Sequence, residues 1–216
     1  ATWRLPGPVY YRLGKDDKAL TWTRRLAFRW QQGRDPKTGL CGGQLSYRQP
    51  DRAQETLGHV HPTINEAKII ATYHRTGRYH DIPLAEMQAA EELIAAGARD
   101  AAVGREFIQW ASEDLKTYAK YCYRPKSGQF ISLMTDGTPI RWQEARAGYY
   151  DTSSFAPSGP SGRILWNYAM AYRLTRDEAH WKMARAVAKS LELGEIGKPD
   201  TKRRKLRYDT AAADWE

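Results

Sequence analysis

Apolar side chains recur three and four residues apart over most of this sequence, and that spacing constrains the fold more than any motif does. Val103, Phe107, Trp110, Ala111, Leu115, Tyr118 and Cys122 hold one face through several turns, which predicts the longest helix over 102–122. Two further periodic runs, 163–174 and 177–193, are separated only by Thr175 and Arg176, so they must fold back as an antiparallel helical hairpin. Asp16 and Asp17 suit the N-terminus of a first helix that carries Leu20, Thr23, Leu26, Ala27 and Trp30 and stops at Gly33. Pro62 opens an expected helix to about Gly77, with Ile64, Ile69, Ile70 and Tyr73 on its apolar side; Pro83 opens another that Gly97 closes.

Between these runs lie two long irregular stretches. Residues 33–61 are rich in Gly, Pro and polar residues and are expected to form a functional loop with a short strand at 44–47. Residues 148–162 hold Tyr149, Tyr150, two prolines and several serines. The Asp136-Gly137 turn signal predicts a β-hairpin that pairs 129–134 with 140–142. Six helices paired by short turns make the fold class all-α, a stack of helical hairpins with a minor β-hairpin. One domain over 1–197 and a basic tail over 198–216 are expected. Trp110, Trp166 and Trp181 fall on helical stripes and are assigned to the core.

Charge gives the first functional indication. With 34 Lys and Arg against 25 Asp and Glu, the chain carries +9, and its preferred partner is an anion. Eight Trp and 13 Tyr beside that charge suit two polyanions, nucleic acids and acidic polysaccharides, both of which stack on aromatic rings; a basic surface that only confers solubility is the plainer alternative. No apolar run approaches the roughly 20 residues that span a bilayer. Ala1 to Tyr11 carry no apolar core of the secretory kind, so a removed leader and a piece of a longer precursor are both compatible with the sequence, as are periplasmic, secreted and cytoplasmic locations. Cys41 and Cys122 belong to no paired motif and form at most one bridge; buried thiols are the simpler expectation. GxxxxGK[ST], GxGxxG, HExxH, GxSxG and zinc-ribbon patterns are all absent, which removes phosphate-loop and hydrolase-elbow mechanisms.

Four of the five histidines, His59, His61, His74 and His80, crowd into one short segment. His59 and His61 flank a single residue, so on an extended backbone both rings project the same way, and Glu66 follows within reach. Two imidazoles and a carboxylate suit a divalent transition metal with open positions. The plainer reading has His61 at a helix start and Glu66 against its dipole. Arg75 and Arg78, three apart, offer guanidinium forks to an acidic substrate, or ion pairs to Glu66, Asp81 or Glu86. Tyr149 and Tyr150 are candidates for a platform on which sugar rings stack; alternatively one of them plugs the core.

These residues sit within a series of short motifs: Asp35-Pro-Lys-Thr-Gly-Leu40, Asp51-Arg-Ala53, Tyr121-Cys-Tyr-Arg-Pro125, Met134-Thr-Asp-Gly-Thr138, Gly148-Tyr-Tyr150, Tyr168-Ala-Met-Ala-Tyr-Arg-Leu174 and Leu191-Glu-Leu-Gly-Glu-Ile-Gly197. In order and approximate spacing, over about 160 residues, the series resembles the later part of the family 2 polysaccharide lyases. Those are pectate lyases built as an (α/α) toroid of helical hairpins. The resemblance implies cleavage of polygalacturonate or oligogalacturonides by β-elimination, an arginine base, and a divalent Mn, Co or Ni ion held by two histidines and a glutamate. The family's Arg-His dipeptide is absent here, and six helices are fewer than its seven hairpins require, so the chain is expected to be a portion of a longer enzyme or a reduced relative. Arg75 then stands as the catalytic candidate, Arg78, Tyr149 and Tyr150 as substrate contacts, and His59, His61 and Glu66 as metal ligands. Two other classes compete: a noncatalytic pectin-binding helical module, and a basic nucleic-acid-binding protein using the Lys202, Arg203, Arg204, Lys205 and Arg207 run.

Overall fold

The computed structural model describes residue 14 and residues 17–45, 51–72 and 78–197. Six α-helices occur among them: α1 (Asp17–Gln32), α2 (Arg52–Leu57), α3 (Arg78–Ala96), α4 (Ala98–Cys122), α5 (Gly162–Thr175) and α6 (Glu178–Ser190). Four two-residue strands complete the described fold: β1 (Ile69–Ile70), β2 (Tyr123–Arg124), β3 (Gln129–Phe130) and β4 (Leu133–Met134). The class is all-α with minor β, consistent with a toroid-like helical fold. The expected tail over 198–216 and residues 46–47 lie outside the described residues.

Helices α3 and α4 form the central hairpin, joined by Gly97 alone. A single-residue link must reverse the chain abruptly, and Gly97 does so at φ 121°, where an L side chain would be strained. Close helix contact follows at Gly104, where an added Cβ would sit 2.9 Å from the Ala90 carbonyl oxygen. On one flank α1 lays Leu20 and Ala27 against Ile82, Ala85, Leu93 and Phe107. On the other, α5 and α6 cover Tyr79, Met87, Leu115 and Tyr118 with Ile164, Tyr168 and Val187. Tyr118 is the middle of an aromatic stack, its ring 4.4 Å from Tyr79 and 4.7 Å from Phe130. Each fully buried aliphatic or aromatic side chain in this core contributes roughly 1.5–3 kcal/mol. The α5–α6 link is as short as expected because Arg176 adopts the left-handed conformation at φ 57° and the Asp177 carboxylate accepts from the Ala179 N–H at 2.9 Å to start α6.

Five expectations require correction, the first being the loop over 33–61, which contains the helix α2, started by its Asp51 cap. The helix anticipated from Pro62 does not form over 62–72. Instead Ile69 and Ile70 pair with Met134 and Leu133 in an antiparallel bridge, and their side chains enter different clusters, Ile69 joining Met134 and Phe155 while Ile70 joins the main core. Neighbouring side chains that point opposite ways are the signature of a strand, and burial on both faces overrides helical spacing. The next helix starts at Arg78 and carries Pro83 within it. Tertiary contacts hold that extra turn: Asn167 donates to the His80 carbonyl at 2.9 Å and Arg163 pairs with Asp81 at 2.7 Å. The expected hairpin partner over 140–142 is not a strand. The turn forms, with the Met134 N–H donating to Thr138 at 2.8 Å, but β4 spends its ladder on β1 and keeps one bridge to Pro139, while Trp142 enters a 3-10 turn. Last, Trp166 is 50% exposed on the outer side of α5, whereas Trp110 and Trp181 do pack against the core. Cys41 and Cys122 are free, buried thiols.

Candidate functional site

Glu66, Tyr149 and Tyr150, three of the residues singled out by sequence, gather around α2 and the loops it anchors. Asp51 caps α2 by accepting from the Ala53 and Gln54 N–H groups through one carboxylate oxygen, and its other oxygen accepts from the Glu66 N–H at 3.1 Å. One buried carboxylate thereby ties the helix start to the loop carrying Glu66. The body of α2 fixes a second loop, since the Arg146 N–H donates to the Thr56 carbonyl and the Tyr149 N–H to the Glu55 carboxylate. A small core of Leu57, Ile64, Ile69, Ile140 and Phe155 lies beneath.

Tyr149 and Tyr150 divide the work between them. Tyr149 is 59% exposed, and the Arg52 guanidinium sits over its ring at 4.0 Å. Tyr150 meets it edge to face at 5.2 Å, packs on Phe155, and donates its hydroxyl to Glu66 Oε1 at 2.7 Å. Burial, reinforced by the Glu66 carboxylate, pushes the Tyr150 phenol well above its ordinary range, so it stays a donor. Tyr150 thus plugs the core while Tyr149 stays at the surface beside a cation.

The histidines are engaged elsewhere. His59 Nε2 lies 2.7 Å from the Glu144 carbonyl oxygen and must donate to it, while the buried His61 accepts the Arg141 N–H on Nε2 at 3.1 Å. Burial, and then the Arg141 charge, hold the His61 pKa below its ordinary value. Its remaining Nδ1 therefore carries the proton.

Arg78 does not line an open surface. Its side chain is 1% exposed and donates to Asp114 Oδ2 at 2.5 Å; Arg34 holds the other oxygen of the same carboxylate at 2.7 Å. The guanidinium lies 5.2 Å from the Trp30 ring centre and 4.7 Å from that of Tyr79. Close by, Glu86 is fully buried, and burial together with the Asp114 charge pushes its carboxyl well above the usual carboxylate range. A cavity of about 60 Å³ lined by Glu66, Tyr150, Arg78 and Tyr79 separates this cluster from the tyrosine pair. It has room for a few waters and none for a sugar ring. Arg75 and His74 lie outside the described residues.

Comparison with known families decides the class. The sequence profile of a family described as periplasmic pectate lyase matches residues 6–216. The chain belongs to the periplasmic pectate lyase family. That match covers both the α5–α6 hairpin and the Tyr149–Tyr150 loop, and it supports a polysaccharide lyase and a polygalacturonate-type substrate. The family description agrees with the periplasmic location among those left open by the sequence. No helix among the described residues is long and apolar enough to cross a membrane.

A pectate lyase implies a bound metal, for which the sequence offers His59, His61 and Glu66. His61 has its bare Nε2 occupied by the Arg141 N–H and its proton on Nδ1, whereas His59, with Nε2–H on the Glu144 carbonyl, keeps Nδ1 bare. Glu66 Oε1 is committed to Tyr150. Among the described residues no group of three His, Cys, Asp or Glu side chains is arranged to hold an ion. Sequence reasoning overlooked Arg52, which becomes visible once Asp51 is read as the N-cap of a helix with Gln54 at its third position.

Proposed function

We propose that this chain, alone or within a longer polypeptide, acts on polygalacturonate as a lyase that cleaves by β-elimination. Membership of the pectate lyase family over nearly the whole chain carries the reading. Its chemistry suits a basic surface with an exposed aromatic ring. A uronate C5 proton becomes acidic only when the neighbouring carboxylate is neutralised, and a base then removes that proton while the C4–O bond breaks and a C4–C5 double bond forms. Tyr149 offers an exposed ring to a sugar, and the exposed Arg52 beside it carries a guanidinium suited to a carboxylate. Arg75 is the proposed base; a divalent Mn, Co or Ni ion would neutralise substrate charge, and its ligands would have to include groups other than the committed ring nitrogens. Arg78, paired with Asp114, supports the site from beneath rather than by touching substrate.

A noncatalytic pectin-binding module is the second reading, favoured by one observation: both histidine Nε2 atoms already have backbone partners. The full chain mixed with polygalacturonate and Mn²⁺, Co²⁺ or Ni²⁺ is expected to release unsaturated product, followed by ultraviolet absorbance, and chelation should abolish it. Retardation in a pectate gel without product would leave binding as the activity of this chain by itself. Neither product nor retardation would refute both.

A further inference from the structure

A second concave surface shares no residue with the tyrosine pair. Helices α4 and α6 and the β2–β3 turn enclose a groove of about 950 Å³, within the range typical of ligand sites. Its sides carry Lys116 and Lys120 from α4, Lys126 from the turn, and Lys182 and Lys189 from α6. All five are exposed, and no aspartate or glutamate lines the groove. Lys116 is turned toward Asp177 at the start of α6, and Lys120 lies over the Tyr121 ring. Lys126, Lys182 and Lys189 have no acidic partner among the described residues. Seven residues apart, Lys182 and Lys189 share one face of α6 with about 10.5 Å between them along the axis.

Between the lysines the surface is apolar. Ala119, Ala179, Met183 and Ala186 line it, with Tyr168 and His180. His180 belongs to the groove wall. It is 1% exposed, its Nε2 is held by the Ser112 hydroxyl at 2.8 Å, and its Nδ1 is buried with no hydrogen-bond partner. An unpaired buried polar atom beside an open groove is a place where a bound hydroxyl, or a water, would supply the missing partner.

We infer that this α4–α6 groove is a binding site for an acidic oligosaccharide, separate from the Tyr149 surface, holding the chain's carboxylates on its lysines and its sugar C–H faces on the alanine and methionine floor. The inference rests on the polyuronate reading above for its choice of anion. Charge complementarity favours an acidic glycan over a neutral one, and the apolar floor gives the sugar faces a surface that a bare phosphate would not use. Lysines rather than arginine forks line it, which suits retention of a chain in several registers rather than one fixed pose. Such a groove would anchor a long substrate while cleavage proceeds elsewhere.

The test uses the full chain and a Lys182→Glu/Lys189→Glu double variant, titrated calorimetrically at low salt with hexagalacturonate, its methyl-esterified form, and an oligothymidylate of equal charge. Hexagalacturonate affinity should fall about tenfold in the variant, equivalent to about 1.4 kcal/mol, with unchanged thermal stability; the ester should not bind. Equal affinity in the two proteins would overturn the proposal. So would oligothymidylate binding as tight as hexagalacturonate and lost with the same lysines, which would make the groove a nucleic-acid site. The His180 ring resonances give a readout that needs no variant, and their failure to shift on titration would also refute it. Lyase assays run in parallel separate the two readings. Lysine-dependent binding without product sustains the groove and removes lyase activity of this chain on its own, whereas identical binding and turnover in both proteins does the reverse.

Discussion

Losing the Asp114 carboxylate should cost the fold heavily, because two arginines depend on it. That carboxylate is fully buried and accepts from Arg78 at 2.5 Å and from Arg34 at 2.7 and 3.0 Å. In Asp114→Asn the shape is kept and the charge removed. Arg34 is 20% exposed in its side chain and can recruit water, but Arg78 is 1% exposed and cannot. The magnitude is therefore set by one uncompensated buried guanidinium, about 3–5 kcal/mol. Out of a total stability of about 5–15 kcal/mol this is a large share, and for a chain of this size it corresponds to a Tm lowered by about 6–20 °C. Urea denaturation followed by tryptophan fluorescence measures it directly. Asp114→Asn combined with Arg78→Met should recover most of the loss, because an apolar side chain in that position leaves no charge stranded. A single variant that loses less than about 1 kcal/mol, or a double variant no better than the single, would refute the reasoning.

Other outcomes follow from the same geometry. Gly42→Ala should cost about 1–3 kcal/mol or more, because a Cβ there would lie 2.0 Å from the Ala67 carbonyl oxygen; thermal melting reads it, and a wild-type Tm would contradict the packing. Tyr149→Ala should leave stability within about 0.5 kcal/mol while raising KM for polygalacturonate about fivefold, a loss of roughly 1 kcal/mol of contact; unchanged kinetics would remove Tyr149 from substrate binding. Burial lowers the His180 pKa to about 4 in the folded protein against its ordinary 6.5. Below pH 6.5 the unfolded chain then binds a proton that the folded one refuses, so stability is complete above that value and falls as pH drops toward 4. His180→Gln should flatten that part of the stability profile, and an unaltered slope in urea midpoints between pH 4 and 6.5 would count against it.

Much of the helical scaffold was legible because it rests on local periodicity. The 102–122 stripe and the Thr175-Arg176 link each point to one structure whatever surrounds them, and α4, α5 and α6 appear where expected. Residues 62–72 were misread because Ile69 and Ile70 answer to partners more than sixty positions away, Met134 and Leu133, which no local spacing reveals. Arg78 shows the same limit at the site. Three residues from Arg75, it reads as one tooth of a fork, yet its role is decided by Asp114 on another helix. The tyrosine pair was recognised as a unit, but which ring is buried depends on the Glu66 carboxylate arriving from a separate loop. Pattern identifies chemistry-bearing residues; only the packing of distant segments tells a ligand-facing group from a structural one.

Asp51 has a mechanical consequence. Through its two oxygens it grips the first turn of α2, where Arg52 begins, and the backbone of Glu66, which in turn restrains Tyr150. The cation above the outer ring and the acceptor behind the inner ring thus hang from a single hinge pin. Any guest that pushes Tyr149 aside must also load that pin, so gripping a glycan there would be felt at the base of the loop rather than absorbed by one freely swinging side chain.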